Sequence, residues 1–201
     1  MAMFEVKVSN SINNQTQHVA GKYGTNTGAS FVPAVCPAGT LCVQNGLIPN
    51  AGYESFSVLN GNTWYFNAAS SGAATGFTGD HTGIYAFNNY DVNKAVGGGI
   101  TVNVGVDTLG LSLPAGEIGD FCEIIIGEQY AFDAENFSTA PGADDVTGYA
   151  TISSGKLVFD DEAPETAGIV YFELLRVANV NKGAQYVGKS YILRAVRNPA
   201  A

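Results

Sequence analysis

The chain has 201 residues, of which 25 are glycine, 46% are hydrophobic and only 13% are charged. This composition excludes a helical bundle or coiled coil, which needs many charged helix-forming residues, and its apolar content is too high for a disordered chain. The net charge of −9 disfavours direct binding to DNA or RNA, because phosphate contacts need a basic patch.

Residues 1–30 are predicted to form an extended N-terminal arm. Residues 9–18 are almost wholly polar and uncharged, and such a segment buries too little apolar surface to order itself. Just before them the residues alternate, so Phe4, Val6 and Val8 are predicted to add as a strand to a partner's sheet. If the arm anchors the protein, its deletion should leave a folded chain that no longer attaches. The alternative is a strand and a loop inside the chain's own fold.

Residues 31–201 are predicted to form one all-β domain, or two small subdomains divided near residue 107. About ten short runs of β-forming residues are separated by turn residues, a pattern typical of an antiparallel β-sandwich or barrel. No segment has the pattern of a helix. The predicted strands are residues 40–44, 55–59, 63–67, 84–87, 100–106, 109–113, 121–126, 149–152, 156–159, 169–178 and 185–197.

Turn residues predict how several of these strands connect. The Asn-Gly dipeptides at 45–46 and 60–61 are each predicted to close a two-residue hairpin, for which this pair is favoured. Residues 153–155 are predicted to close a third hairpin, and the last two strands are predicted to pair antiparallel. Residues 68–83 are small and glycine-rich, residues 131–147 are acidic, and both are predicted to be loops.

The residue types that carry chemistry are not arranged for catalysis. His18 and His81 lie in the predicted arm and in a predicted loop, where nothing orients them as general bases. The carboxylates at 144–145 and 160–162 are interpreted as solvated, with a calcium site as the alternative. Trp64 is interpreted as a core or interface residue rather than a sugar platform. The sequence therefore predicts no enzyme activity, no cofactor and no metal.

The three cysteines are Cys36, Cys42 and Cys122. The start of the chain lacks the basic and apolar segments of a signal peptide, which favours synthesis in a cytosol. An odd number of cysteines in a cytosolic chain favours free thiols. The short spacing between Cys36 and Cys42 leaves an alternative, a disulfide that closes their loop if the protein meets an oxidising exterior.

The charges are unevenly distributed along the chain. Residues 107–173 hold 14 of the 18 acidic residues and one base, whereas the residues after them hold five bases and no acid. Three of these bases, Arg176, Lys189 and Arg194, are predicted to contact an acidic partner. The alternative is that they face solvent or protect a sheet edge. No apolar run approaches the ~18 residues of a membrane helix, so no membrane is predicted as a partner.

Four segments resemble the head decoration proteins, also called capsid cement or head-fibre proteins, of tailed bacteriophages. They are residues 39–50 (GTLCVQNGLIPN), 62–66 (NTWYF), 83–92 (GIYAFNNYDV) and the part of 103–119 that reads TLGLSLPAGE. The resemblance runs from about residue 35 to about residue 175, and it assigns no individual binding residues.

This resemblance implies a virion structural protein that is assembled in the host cytoplasm and lies on the capsid surface. Such a protein binds the outer surface of the major capsid protein and stabilises the head. Many copies on a symmetric shell would add weak contacts into strong attachment. The chain is also expected to associate with copies of itself, as a trimer or another small homo-oligomer. The alternative function is a tail or host-receptor-binding module that grips cell-surface glycans.

Overall fold

The computed structural model describes residues 4–8, 18–48, 63–73, 77, 79–88, 112–142, 145–181 and 187–199. These residues form thirteen strands and one short 3-10 helix, Ala134–Asn136, which confirms the predicted all-β fold. The strands are β1 Phe4–Val8, β2 His18–Asn26, β3 Phe31–Pro33, β4 Leu41–Leu47, β5 Trp64–Ala68, β6 His81–Phe87, β7 Gly119–Ile125, β8 Gln129–Asp133, β9 Phe137–Thr139, β10 Tyr149–Ser153, β11 Lys156–Asp160, β12 Val170–Asn181 and β13 Val187–Arg197. Within these ranges no helix is long and apolar enough to cross a membrane.

Strands β2, β5, β4, β6 and β7 form a closed barrel. Strand β2 closes it by pairing with β5 on one side and with β7 on the other. Each antiparallel pair reverses the strand direction, and one circuit of a closed barrel must restore the original direction. A barrel of five strands, with five neighbouring pairs, can therefore contain only an even number of antiparallel pairs. One pair must therefore be parallel, and it is β2–β5, with Lys22 opposite Tyr65. Strand β3 extends the barrel by pairing with β2.

The second sheet has seven strands in the order β1-β8-β13-β12-β10-β11-β9. The chain passes from the barrel to this sheet between β7 and β8, at Gly127, whose φ of +88° suits glycine. The predicted hairpin at 153–155 is confirmed, since Ser154 and Gly155 have the two positive φ angles of a type I′ turn. The antiparallel pairing of the last two strands, β12 and β13, is confirmed as well.

One continuous hydrophobic core joins the barrel to the second sheet. In the barrel, Phe66 and Phe121 stack with 4.0 Å between ring centroids, and Leu41 is fully buried in the same cluster. Phe172 and Leu193 of the second sheet belong to the same buried cluster. Each such side chain contributes about 2–3 kcal/mol when it is fully buried. One buried cluster therefore includes residues of both sheets. Residue 107 lies outside the described residues.

The structure corrects the prediction of an arm for the parts of residues 1–30 that it describes. Residues 4–8 form β1, which pairs with β8, and residues 18–26 form β2, which closes the barrel. Both stretches therefore lie inside the chain's own fold. The polar composition of residues 9–18 suggested a segment without structure. Composition does not show whether a short strand such as β1 will pair, because its partner lies far along the chain.

Two predicted connections are also different in the structure. The Asn-Gly pair at 45–46 lies inside β4, where Gly46 has a φ of +90° and the register with β5 shifts between Gln44 and Leu47. It forms a bulge rather than a hairpin. Both structures need a positive φ at the glycine, so the Asn-Gly pair fits either one. The predicted loop 131–147 contains the end of β8, the 3-10 helix and β9. The predicted strands 55–59 and 100–106 and the second Asn-Gly pair lie outside the described residues.

Candidate functional site

The structure places the predicted partner-binding residues in different environments. Phe4 is 1% exposed, and its ring packs on those of Tyr130 and Phe132 at centroid distances of 5.7 and 5.1 Å. It is therefore a core residue, which corrects its prediction as a partner contact. Val6 and Val8 lie on β1, and their side chains lie outside the described residues.

Two of the three predicted cations share one face of the β12–β13 hairpin. Arg176 is opposite Ile192, which is two residues from Arg194 on β13, so both arginines lie on the same side of the pair. Both are exposed, and Arg194 donates a hydrogen bond through Nη2 to Glu173 Oε2 at 2.5 Å. Lys189 lies an odd number of residues from Arg194 and is on the other face.

A bulge leaves an exposed leucine next to Arg176. The register of β12 with β13 shifts between Leu174 and Arg176, which leaves Leu175 without a direct cross-strand partner. Leu175 is 36% exposed. We call Leu175, Arg176 and Arg194 the hairpin patch. An exposed apolar side chain flanked by arginines has the composition of a protein-binding surface.

A buried polar site with several hydrogen bonds lies in the barrel, between β6 and β7. Glu123 is 1% exposed, and its Oε2 is 2.9 Å from Nδ1 of His81. Its Oε1 accepts hydrogen bonds from the backbone N–H groups of Thr82, at 3.1 Å, and Gly83, at 3.0 Å. The prediction that His81 lies unoriented in a loop is therefore wrong, since it is the first residue of β6.

The carboxylate of Glu123 replaces acceptors that the strand ladder does not supply. The pairing of β6 with β7 shifts between His81 and Tyr85, so Thr82 and Gly83 have no regular partner on β7. Leaving two buried N–H groups unpaired would cost several kcal/mol. Arg197 supports the same corner from the second sheet by donating to the carbonyl oxygens of Gly79, at 2.8 Å, and His81, at 2.5 Å.

The contacts of Glu123 stabilise the pairing of β6 with β7. The side chain of His81 is 44% exposed, so its ring has one side on Glu123 and one toward solvent. Within the described residues, no group of three or more His, Cys, Asp or Glu side chains is close enough to hold a metal ion. Sequence reasoning missed Glu123, although an acid inside the apolar run 121–126 was a signal of a buried polar contact.

Burial next to Glu123 keeps two neighbouring groups protonated. Burial raises the pKa of Tyr85 to about 12, with a smaller contribution from the negative charge of Glu123. Burial also raises the pKa of the Cys122 thiol to about 12, and Asp120, Glu128 and Glu123 add to that effect. Both groups therefore stay neutral at physiological pH.

The remaining candidates lie at the surface or in the core. Trp64 is half-buried and packs against the core, which agrees with its interpretation as a packing residue. Asp160 and its neighbours 161–162 are exposed, and Asp160 Oδ1 accepts from the backbone of Glu162 at 3.1 Å, while Asp144 lies outside the described residues. A cleft of about 250 Å³ lies between residues of the barrel and residues of the second sheet. It is lined by Pro37, Thr40, Glu135, Asn136, Phe137, Gly155 and Lys156.

Comparison with known proteins adds no identity. No family model, no curated protein and no solved structure matches this chain.

Proposed function

We propose that this chain is a structural protein of a tailed-bacteriophage virion. It binds the outer surface of the major capsid protein and decorates and stabilises the head, acting as a trimer or another small oligomer. The resemblance of residues 35–175 to head decoration proteins motivates the proposal. An all-β body with one continuous core suits a protein that must stay rigid while it braces a shell.

The observation that carries the proposal is the hairpin patch. Arg176 and Arg194 are exposed on one face of the longest hairpin of the described structure, in a chain whose net charge is −9. The patch therefore favours a partner with acidic groups around an apolar contact, and capsid subunits are the partners that the resemblance implies. Many copies on one shell make a modest contact sufficient, because their contacts add.

Co-sedimentation of the purified protein with mature heads, isolated tails and host cell walls tests this proposal. We expect saturable binding to heads with a fixed copy number per shell. The double variant R176A/R194A should bind heads at least about tenfold more weakly, since arginine is enriched among the few interface residues whose truncation costs about 2 kcal/mol or more. Lys156 is also exposed but lies on the β10–β11 hairpin, so K156A is the matched control and should bind like the wild type.

Two results would contradict the proposal. Binding to tails or cell walls without binding to heads would overturn it in favour of a tail or receptor-binding module. Equal loss of binding in K156A and in R176A/R194A would show that general charge, rather than the hairpin patch, sets the affinity.

A further inference from the structure

We propose that an apolar face on the outside of the barrel, formed by β3 and its neighbours, is the surface through which copies of this chain associate. The face consists of Phe31, Pro33, Val35 and Tyr65, and we call it the barrel face. Val35 is 55% exposed, Pro33 is exposed, and the two rings are half-buried. The barrel face belongs to a different sheet from the hairpin patch, so a chain can use both surfaces.

Alternation along β3 brings three of these side chains to the same side. The backbone N–H of Ala34 donates to the carbonyl of Tyr23 at 3.0 Å, so the pairing of β3 with β2 continues one residue beyond the strand. Tyr23 packs against the core, and Ala34 is on the same side of the sheet. Phe31, Pro33 and Val35 alternate with Ala34 and therefore point away from the core.

A neighbouring strand adds the fourth side chain and fixes the rings. The ring centroids of Phe31 and Tyr65 are 4.4 Å apart. Phe31 reaches across β2 because Gly24 has no side chain, and a Cβ there would lie 2.9 Å from the ring. The backbone N–H of Asn26 donates to Oδ1 of Asn67 at 2.9 Å, which ties the end of β2 to β5. The rings are thus ordered before any partner binds, which lowers the entropy cost of association.

The charge distribution favours a second copy as the partner. Lys22, which pairs with Tyr65, is the one charged residue in 18–48 and 63–73, the ranges that contain β2 to β5. Residues 107–173, by contrast, hold 14 of the 18 acids. Two copies that each carry a net charge of −9 repel one another in most orientations. Contact through the barrel face brings the fewest like charges together, and aromatic residues without charge are typical of an interface core.

The backbone at the edge of β3 favours contact through side chains rather than strand addition. Among the described residues, β3 is the last strand on its side of the sheet. Since the N–H of Ala34 points to β2, the backbone groups of Pro33 point to the open edge. Proline has no N–H, so this edge lacks a donor that an added strand would need. Two identical side-chain surfaces that meet form a closed pair rather than a growing sheet.

Sedimentation velocity of the full-length protein in the absence of heads tests the inference. We expect wild-type protein to associate over a range of concentrations. V35E places a carboxylate where two barrel faces meet, so it should weaken self-association at least about tenfold. V35S removes the apolar side chain without adding charge and should weaken it by a smaller factor.

The matched control is V146E, which makes the same change of charge at a different surface. Val146 is 70% exposed and lies between β9 and β10, outside the barrel. V146E should therefore associate like the wild type. Near-UV circular dichroism and a cooperative melt verify that each variant is folded, which is expected because both valines are exposed.

The salt dependence separates this inference from the proposed function. Raising the salt concentration from about 0.05 M to about 0.5 M screens the repulsion between acidic copies, so self-association should strengthen. The same change should weaken head binding through the arginines of the hairpin patch. The inference rests on the proposed function in one respect, since that function calls for a small oligomer. Sedimentation without heads nevertheless measures self-association whether or not the chain binds heads.

Three outcomes would overturn the inference. One is wild-type protein that sediments only as a monomer at every concentration. Another is association of folded V35E and V35S that equals that of the wild type, which would place the contact elsewhere on the chain. The third is an equal loss in V146E and V35E, which would show that overall charge rather than the barrel face controls association.

Discussion

Two strand pairs in the molecule each hold a glutamate beside a side chain that can carry positive charge, and they differ in burial. In the barrel, Glu123 is 1% exposed and contacts His81 and two backbone N–H groups. In the β12–β13 hairpin, Glu173 contacts Arg194, and their side chains are 34% and 45% exposed. The pairs have similar chemistry, but only the first is shielded from water.

Burial decides what each pair can do. A buried carboxylate must be fully hydrogen-bonded, and removing it leaves its partners unpaired in a dry environment. An exposed pair exchanges easily with water, so it contributes little to stability and remains available to a partner. We therefore assign Glu123 to the fold, whereas the hairpin patch is the surface proposed above to bind a partner.

The largest effect on folding is expected from removing β2. This strand pairs with β7, the strand that contains Glu123. Deletion of residues 1–30 removes β2, which pairs with β7 and closes the barrel, and also removes β1 with the buried ring of Phe4. We expect the deleted chain not to fold, as judged by near-UV circular dichroism and the absence of a cooperative melt. A cooperatively folded deletion variant would restore the prediction of a separable arm.

The next effect tests the buried pair directly. E123A should lower the free energy of unfolding by about 3–5 kcal/mol, because it leaves two buried N–H groups and His81 without their acceptor. E123Q retains an amide oxygen as an acceptor and should cost about 1–2 kcal/mol. Urea unfolding of both variants measures the difference. Equal losses would show that the oxygen acceptor is not what stabilises the bulge.

Alkaline pH should lower the free energy of unfolding, in part through Tyr85. Because burial raises the pKa of Tyr85 to about 12, the unfolded chain releases this proton first, near its ordinary pKa of 10.0. Proton release then favours the unfolded state, so this contribution is complete below pH 10 and is lost as the pH rises toward 12. The free energy of unfolding of Y85F, measured between pH 9 and 12, should fall less steeply than that of the wild type. Parallel curves would contradict the assignment.

The smallest effect is expected at the exposed pair. R194A should change the free energy of unfolding by less than about 1 kcal/mol, because the ion pair with Glu173 is screened by water. A double-mutant cycle with E173A measures the pair itself. A coupling energy as large as the loss in E123A would show that the two glutamate pairs do not differ as proposed.

The sequence predicted the features that depend on neighbouring residues. The hairpin at 153–155 followed from turn residues that accept a positive φ, and the last two strands followed from alternation on both sides of a loop. The bulge at Gly46 shows the limit of this reasoning. A positive φ was foreseen there, but whether the chain turned back or continued depended on the strands that flank it.

The candidate sites were less predictable because their members are distant in sequence. His81 and Glu123 are 42 residues apart, and only the pairing of β6 with β7 brings them together. Of the predicted partner contacts, Phe4 is in the core, and Lys189 is on the opposite face from the two arginines. Spacing along the chain could not reveal this separation before the hairpin register was known.

By itself, the sequence determined the all-β class, the local turns and the acidic balance of this protein, because composition, alternation and turn chemistry act over a few residues. Only the tertiary structure decided that β2 closes a barrel, that β1 joins the second sheet and that Glu123 fills a bulge. These outcomes depend on which distant surfaces bury each other and which buried polar groups then need partners. They depend on the whole chain, because the free energy of folding comes from burial in one core to which both sheets contribute.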